Sequence, residues 1–260
     1  MTPVCLTIAG SDPSGGAGIQ ADLKVFHQHR TYGESVITLL TVQNTCGVTE
    51  VNVLSPAFVR KQLEAVITDI PPQAAKTGAL GSKEMIAMIA DAARQFSFPL
   101  IVDPVMISKH GAALLVEDAV DVLRTELLPA AYLVTPNLHE AEALTRMKVS
   151  NLPEMKEAAE KIHLMGAKHV MIKGGHLEGA SADLLFSAGC FSQFPAPRIK
   201  TKHTHGTGCS FSAAITARIA QGMDLNDAVQ KAKQYITGAI LTAPQLGKGC
   251  GPTNLLTECD

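Results

Sequence analysis

The sequence predicts an α/β protein with a mainly parallel sheet and helices on both of its faces. Three observations carry this expectation. Short runs of apolar and β-branched residues alternate with longer segments of helical period along most of the chain. The runs are near-continuously apolar, as strands covered on both faces are. Most of them stop at Gly, Pro, Asn or Asp, which places polar, flexible residues at the strand ends.

The strands expected on this basis are VCLTIAG (4–10), SVITLLTVQN (35–44), AAKTG (74–78), LIVDPVM (100–106), YLVTPN (132–137) and HVMIKGG (169–175). The intervening amphipathic segments are PAFVRKQLEAVITDI (56–70), SKEMIAMIADAARQF (82–96), EDAVDVLRTELL (117–128) and LPEMKEAAEKIHLMG (152–166). After residue 175 the pattern changes. ADLLFS and CFSQF form an expected hairpin about Ala188-Gly189, and helices over 208–221 and 224–243 close the chain. No linker, repeat or composition shift divides the sequence, so one domain spanning 1–260 is expected.

Composition narrows the function classes. The chain has 46% hydrophobic residues, enough for a large core, and a net charge of −2 with no dense Lys/Arg run. Nucleic acid is thereby an unsuitable partner. No apolar stretch approaches the roughly 18 residues of a membrane span, and MTPVCLTIAG lacks a basic leader and a cleavage-type sequence. A cytoplasmic chain without membrane association is expected. The six cysteines are scattered without a C-x-x-C pair, which argues against a structural zinc site and a disulfide scaffold.

In open parallel sheets, ligands gather at the carboxyl ends of the strands, so chemistry is sought there. The Gly-rich segment IAGSDPSGGAGIQADLK (8–24) follows the first strand. Its Gly16-Ala17-Gly18-Ile19-Gln20-Ala21 matches G-x-G-x-x-A, but the second strand ends in Val42-Gln43-Asn44 without the ribose-binding acid of a nicotinamide dehydrogenase. It reads either as a plain chain reversal or as a substrate-enclosing loop with Asp12 aimed at a ligand hydroxyl. In TPNLHEAEAL (135–144), Asn137 and Glu140 stand three apart, as a helix cap requires and as a carboxylate holding hydrated Mg²⁺ near phosphates would also require. Asp103 ends a buried strand at the same edge and joins Glu140 as a candidate for the metal and phosphate region, with Lys173 a source of positive charge.

The strongest local signal is THGTGCSFSAA (204–214). Gly206, Thr207 and Gly208 lead into a helix N-terminus, whose amides and dipole suit an anion or a phosphoryl group in flight. Cys209 at that point is expected to have a lowered pKa. It reads as a small structural residue, as a metal ligand with His203 and His205, or as a polar or basic group beside an anion hole.

AGSDPSGGAGIQADLK, TVQNT, AAKTGALG, VDPVM, TPNLHEAEAL, IKGGH and THGTGCSFSAAI occur in that order from residue 9 to 215, followed by GPTN at 251–254. On these motifs the chain resembles the hydroxymethylpyrimidine kinase / hydroxymethylpyrimidine phosphate kinase family of thiamine biosynthesis, within the ribokinase-like superfamily. The resemblance implies a three-layer α/β/α fold and two successive ATP-dependent phosphorylations. The first yields the phosphate of 4-amino-5-hydroxymethyl-2-methylpyrimidine (HMP) and the second its pyrophosphate. It implies an anion hole from Gly206, Thr207 and Gly208, with Cys209 where most of the superfamily has an aspartate base. Asn137 and Glu140 match an N-x-x-E magnesium–phosphate motif, and Asp103 and Lys173 accompany them. Gln43 matches a pyrimidine-binding glutamine, whose carboxamide offers the donor and acceptor that an aminopyrimidine edge complements. Gly10, Asp12 and Val105 are expected around the substrate. ATP and Mg²⁺ are the implied cosubstrate and cofactor, a homodimer the implied assembly, and pyridoxal kinase the alternative activity; a pyrimidine-binding sensor and a dehydrogenase are the rivals of other classes.

Overall fold

The computed structural model describes residues 2–106, 117–175 and 182–259; His176 of the IKGGH segment lies outside them. Alternation of strands and helices begins at once, with Val4–Ser11 (β1), Gly18–Gln28 (α1) and Tyr32–Asn44 (β2). Gly47–Val53 (β3) turns back on β2, and Pro56–Asp69 (α2), Ala74–Thr77 (β4), Lys83–Ala93 (α3) and Leu100–Val102 (β5) resume the alternation. Glu117–Val122 (α4), Leu133–Val134 (β6), Leu138–Thr145 (α5), Leu152–Leu164 (α6) and His169–Ile172 (β7) follow. The hairpin Ala182–Ser187 (β8) and Cys190–Pro195 (β9) precedes the long helices Thr207–Ala220 (α7) and Leu225–Leu241 (α8).

All nine strands form one sheet in the order β3-β2-β1-β4-β5-β6-β7-β8-β9. β2 through β7 in that order are parallel, while β3, β8 and β9 run antiparallel at the two edges. Two apolar clusters flank the sheet. One joins it to α2–α6 through residues such as Leu63, Ile86, Leu144 and Ile162. The other joins it to α1, α7 and α8 through Phe26, Ile215 and Val229. The result is the α/β/α layering expected from the sequence. After β1 the chain builds β2 on one side and β4 on the other, so the order reverses at β1. The crevice beyond the carboxyl ends of β1 and β4 is the place such a sheet offers to a ligand.

Start signals agree with the sequence: Ser55, Ser82, Asn137, Asn151 and Asp224 each accept a backbone N–H at the first turn of their helices. The β8–β9 turn falls on Ala188 and Gly189, both left-handed (φ 50° and 77°). Two elements depart from expectation. GVTEVNV pairs with β2 as β3, yet it is mostly exposed, and polar residues separate its three valines, so no hydrophobic run announces it. The segment 117–128 is not one helix: α4 passes into a π-helical turn at Leu123–Leu127 and a 3-10 turn at Leu128–Ala130, where Pro129 has no N–H to continue it.

Candidate active site

A cavity of about 620 Å³ opens at the carboxyl edge of the sheet. Residues at or just beyond the ends of β1, β2, β4, β5, β6 and β7 and the start of α7 contribute to it. At its base, α7 begins at Gly206, which caps the helix with φ 79°. A Cβ there would collide with the carbonyl oxygen of Gly16, so this corner closes only with glycine. Thr207 donates both its N–H (3.3 Å) and its hydroxyl (2.8 Å) to the Thr204 carbonyl. No side chain caps α7, so the amides of Gly208 and Cys209 are the helix donors left for an anion in the cavity that both residues line. Of the 206–208 amides expected from the sequence to face an anion, that of Thr207 is already engaged by Thr204 O.

Lys173 follows β7 and is held by its N–H donating to Pro136 O at 2.8 Å. Its ammonium lies so near the first turn of α7 that a Cβ on Gly208 would meet Nζ at 3.3 Å. Asp103, beyond β5, meets Lys173 Nζ at 3.0 Å and accepts from the Ser212 hydroxyl at 3.2 Å. The carboxylate is 2% exposed, so an ammonium and hydroxyls are what make its burial tolerable. Its oxygens thus meet Lys173 and Ser212, with the Thr135 hydroxyl at 3.4 Å, and they hold that lysine in the region where Asp103 was expected to serve the metal and phosphates.

Asn137 and Glu140 form the capping box of α5, with Glu140 N–H donating to Asn137 Oδ1 (2.9 Å) and Asn137 N–H donating to Glu140 Oε2 (2.7 Å). The cap reading therefore holds, and the same two side chains also line the cavity. Burial pushes the Glu140 carboxyl up to about 7, against the pull of the Lys173 ammonium 4.0 Å away, with Asp103 adding to the rise. A buried oxygen-donor group so short of compensation fits a hard cation bound through one carboxylate, water and phosphate oxygens, which is how Mg²⁺ is usually held.

The opposite end of the cavity is built from the β1–α1 loop and the end of β2. Asp12 accepts from Ser14 N–H and hydroxyl on Oδ1 (2.9 and 2.7 Å) and from Ala17 N–H on Oδ2 (2.9 Å), while His205 Nε2 lies 2.7 Å from Oδ2. Burial raises its pKa, but the His205 and Ser14 hydrogen bonds outweigh this and hold the carboxyl below its usual range. Asp12, expected to reach a ligand hydroxyl, lines the cavity and also shapes the Gly-rich loop through the four protein groups around its two oxygens. Gln43 lies beside it, Nε2 3.3 Å from His205 Nε2 and Oε1 accepting from Thr41 at 3.2 Å. Gly10 and Val105 also line this end. At Gly10 a Cβ would press on Leu39 Cγ at 2.9 Å.

Cys209 stands between the two ends, half-buried, with the Gly18 N–H donating to its sulfur. Its thiol lies at the cavity floor, where burial pushes its pKa up to about 12; Asp103 adds to the rise, and Lys76 opposes it. The helix N-terminus led to the expectation of a lowered pKa; the burial of the thiol acts in the opposite direction and favours the protonated form. The zinc reading also fails: no group of three or more metal-ligating side chains occurs among the described residues, and His205 faces Asp12.

Sequence reasoning passed over three parts of the site. Lys76 and Asp22 form a wholly buried ion pair (2.8 Å) whose lysine lines the cavity. His205 links Asp12 to Gln43. An apolar recess between Ala196–Ile199 and Ile236 and Ile240 of α8 adjoins a Lys233–Asp183 pair (2.6 Å). A lysine inside a four-residue strand of otherwise small, buried residues was the one signal that marked Lys76. No helix among the described residues is long and apolar enough to cross a membrane.

Comparison with known proteins agrees with this geometry. Residues 12–254 match the family model described as phosphomethylpyrimidine kinase. The chain is 51% identical over 251 residues to the thiamine biosynthesis bifunctional protein ThiED of Geobacter sulfurreducens, with 96% of this chain aligned. It spans only about half (51%) of that relative's length. It is 47% identical to the hydroxymethylpyrimidine/phosphomethylpyrimidine kinase of Bacillus subtilis, covering 96% of this chain and 93% of the relative. Among solved structures, an ADP complex of Bacillus subtilis pyridoxal kinase superposes with a TM-score of 0.90 at 37% identity over 97% of each chain. With a family match across nearly its whole length and a fold and cavity to suit, this chain belongs to the phosphomethylpyrimidine kinase family.

Proposed function

We propose that this kinase transfers the γ-phosphoryl group of ATP first to the hydroxymethyl oxygen of HMP and then to the phosphate so formed, in thiamine biosynthesis. One observation carries the reading: a single cavity has a carboxamide, Gln43, at one end and an uncapped helix N-terminus with Lys173 and Glu140 at the other, with Cys209 between. The activity is assigned to the whole chain as one domain. The higher identity to the pyrimidine kinase, 47% against 37% for the pyridoxal kinase, supports HMP as the preferred acceptor.

In this account Gln43, oriented by Thr41 and His205, pairs with the aminopyrimidine edge and points the hydroxymethyl group toward Cys209. The apolar recess beside α8 takes the adenine. The Gly208 and Cys209 amides and Lys173 cradle the moving phosphoryl, whose loose transition state needs positioning and charge neutralisation more than a strong base. Glu140, with Asn137, would hold Mg²⁺, and the ion when bound supplies charge neutralisation at the phosphates. As the acceptor oxygen bonds to phosphorus and the bond to ADP breaks, its proton passes to Cys209 in the thiolate form. In the second step the acceptor is already an anion and has no such proton to lose.

Because the thiol titrates far above neutrality, the first step is expected to accelerate about tenfold per pH unit between about pH 7 and pH 10. Cys209→Asp supplies a group ionised throughout that range, and its profile should be flat. Steady-state rates on HMP across the range check this, and a flat wild-type profile would argue against proton transfer to Cys209. Gln43→Ala should raise KM for HMP roughly threefold to tenfold while leaving KM for ATP in place; unchanged HMP kinetics would remove the substrate assignment. A homodimer is part of the proposal. Leu40 and Val42, on one face of β2 and 45% and 55% exposed, offer an apolar surface for it, and sedimentation of wild type against Val42→Asp tests it.

A further inference from the structure

The Lys76–Asp22 pair is out of place for a merely structural element. Both side chains are completely excluded from solvent, with Nζ 2.8 Å from Asp22 Oδ2. Thr7 donates its hydroxyl to the same oxygen at 2.6 Å, and Asp22 Oδ1 has no hydrogen-bond partner. In β4, Ala75 packs toward α2–α6 and Ala74 toward α1, α7 and α8, so strand alternation sends Lys76 to the second face. There α1 brings Asp22, while α7 packs with Ala213, Ala214 and Ala217. The neighbouring sites on that face are filled by small apolar residues, and an apolar pair would also be the cheaper choice, since desolvating two charges commonly outweighs their attraction.

What distinguishes this place is its neighbour. Lys76 lines the cavity floor, as does Cys209 at the start of α7. Four charged side chains act on the thiol: Asp22 from α1, Lys76 from β4, Asp103 from beyond β5 and Lys173 from beyond β7. Lys173 is committed to Asp103 at 3.0 Å and Glu140 at 4.0 Å, and to the phosphoryl site beside Gly208. Lys76 has Asp22 as its close partner, and of the two cations it is the one without a role at the phosphates. Burial would strip the ammonium of its proton, but Asp22 more than reverses this, and the pKa of Lys76 lies above its ordinary value. The Asp22 carboxylate thus favours the charged form of the lysine.

We propose that Lys76, fixed by Asp22 and Thr7, is a positioning residue that serves as the counter-charge for the Cys209 thiolate in the first phosphorylation. It rests on the reading of Cys209 as proton acceptor. The thiol gives its proton to water, leaving a thiolate facing Lys76; the hydroxymethyl proton then returns it to the thiol as the new O–P bond forms. Asp22 keeps the ammonium from moving toward the negative phosphates and holds it under the sulfur.

The test follows the rate at which iodoacetamide alkylates Cys209 in the full chain at about pH 9, read by peptide mass spectrometry, with exposed Cys190 as internal control. Lys76→Met should slow alkylation of Cys209 by at least about tenfold, as loss of a nearby opposite charge does to a thiolate population, and leave Cys190 unchanged. If that variant folds poorly, the double variant Asp22→Asn/Lys76→Gln replaces the ion pair by a neutral hydrogen-bonded one and should also slow Cys209, by less. A structural role alone predicts the opposite, because loosening the floor exposes the thiol and speeds alkylation; rates at or above wild type in both variants overturn the proposal. Activity separates the two layers of the argument. Lys76→Met should lower kcat for the first phosphorylation and spare the second and the KM for ATP. Slowed alkylation with both phosphorylation rates intact would overturn the proton-acceptor reading of Cys209 and, with it, the catalytic half of this proposal.

Discussion

Replacing Cys209 with alanine is expected to slow phosphorylation of HMP by about 10²–10⁴-fold, the usual contribution of a positioned proton acceptor, while phosphorylation of HMP phosphate changes little. The asymmetry follows from the acceptors. A hydroxymethyl group must shed a proton as it bonds to phosphorus, whereas a phosphate monoester arrives as an anion. Gln43, Cys209, Lys173 and Glu140 line one cavity, so under the proposed function both acceptors meet the same thiol. Single-turnover rates with each acceptor check the claim. Equal losses in both steps would mean that Cys209 shapes the site instead of taking a proton.

Gly206→Ala should have the opposite signature, abolishing both phosphorylations together. Gly206 sits in the left-handed region (φ 79°), where a side chain costs about 1–2 kcal/mol. The added Cβ would also run into the Gly16 carbonyl, so the Gly-rich loop and the start of α7 cannot both keep their places. The combined penalty is expected to exceed about 3 kcal/mol, placing it among the larger single-residue effects. Thermal unfolding and ADP binding measure it. Full stability together with selective loss of the first step would contradict the role given to this turn.

The parts of the fold that the sequence made legible are those in which the pattern and the packing coincide. Buried on both faces, β1, β4, β5, β6 and β7 read as apolar runs, and Asn137 announced its helix through the short polar side chain that caps it. β3 escaped because its stability comes from pairing with β2 and not from burial, so a mostly exposed GVTEVNV carries no hydrophobic signal. The π-helical turn after α4 escaped because the periodicity of 117–128 continues smoothly through it.

The site divides in the same way. Strand-end residues such as Gln43, Asp103 and Lys173 could be placed at one edge from the alternation alone. How their charges combine could not. The partner of Asp103 is Lys173, seventy positions away (|i−j| 70). Asp12 is surrounded by Ser14, Ala17 and, from far along the chain, His205. A helix N-terminus beside Cys209 is visible in a sequence, whereas the burial that raises its pKa is not. Lys76 and Asp22 meet across 54 positions, and nothing local in AAKTG or ADLK says that they pair.

The most direct measurement of the whole account is mass analysis of the products after incubating the purified chain with ATP, Mg²⁺ and HMP, with pyridoxal as a parallel acceptor. HMP phosphate should form first and HMP pyrophosphate after it, with ADP released at each step and pyridoxal phosphorylated more slowly. Phosphorylation of pyridoxal without HMP pyrophosphate, or binding of HMP without any transfer from ATP, would contradict it.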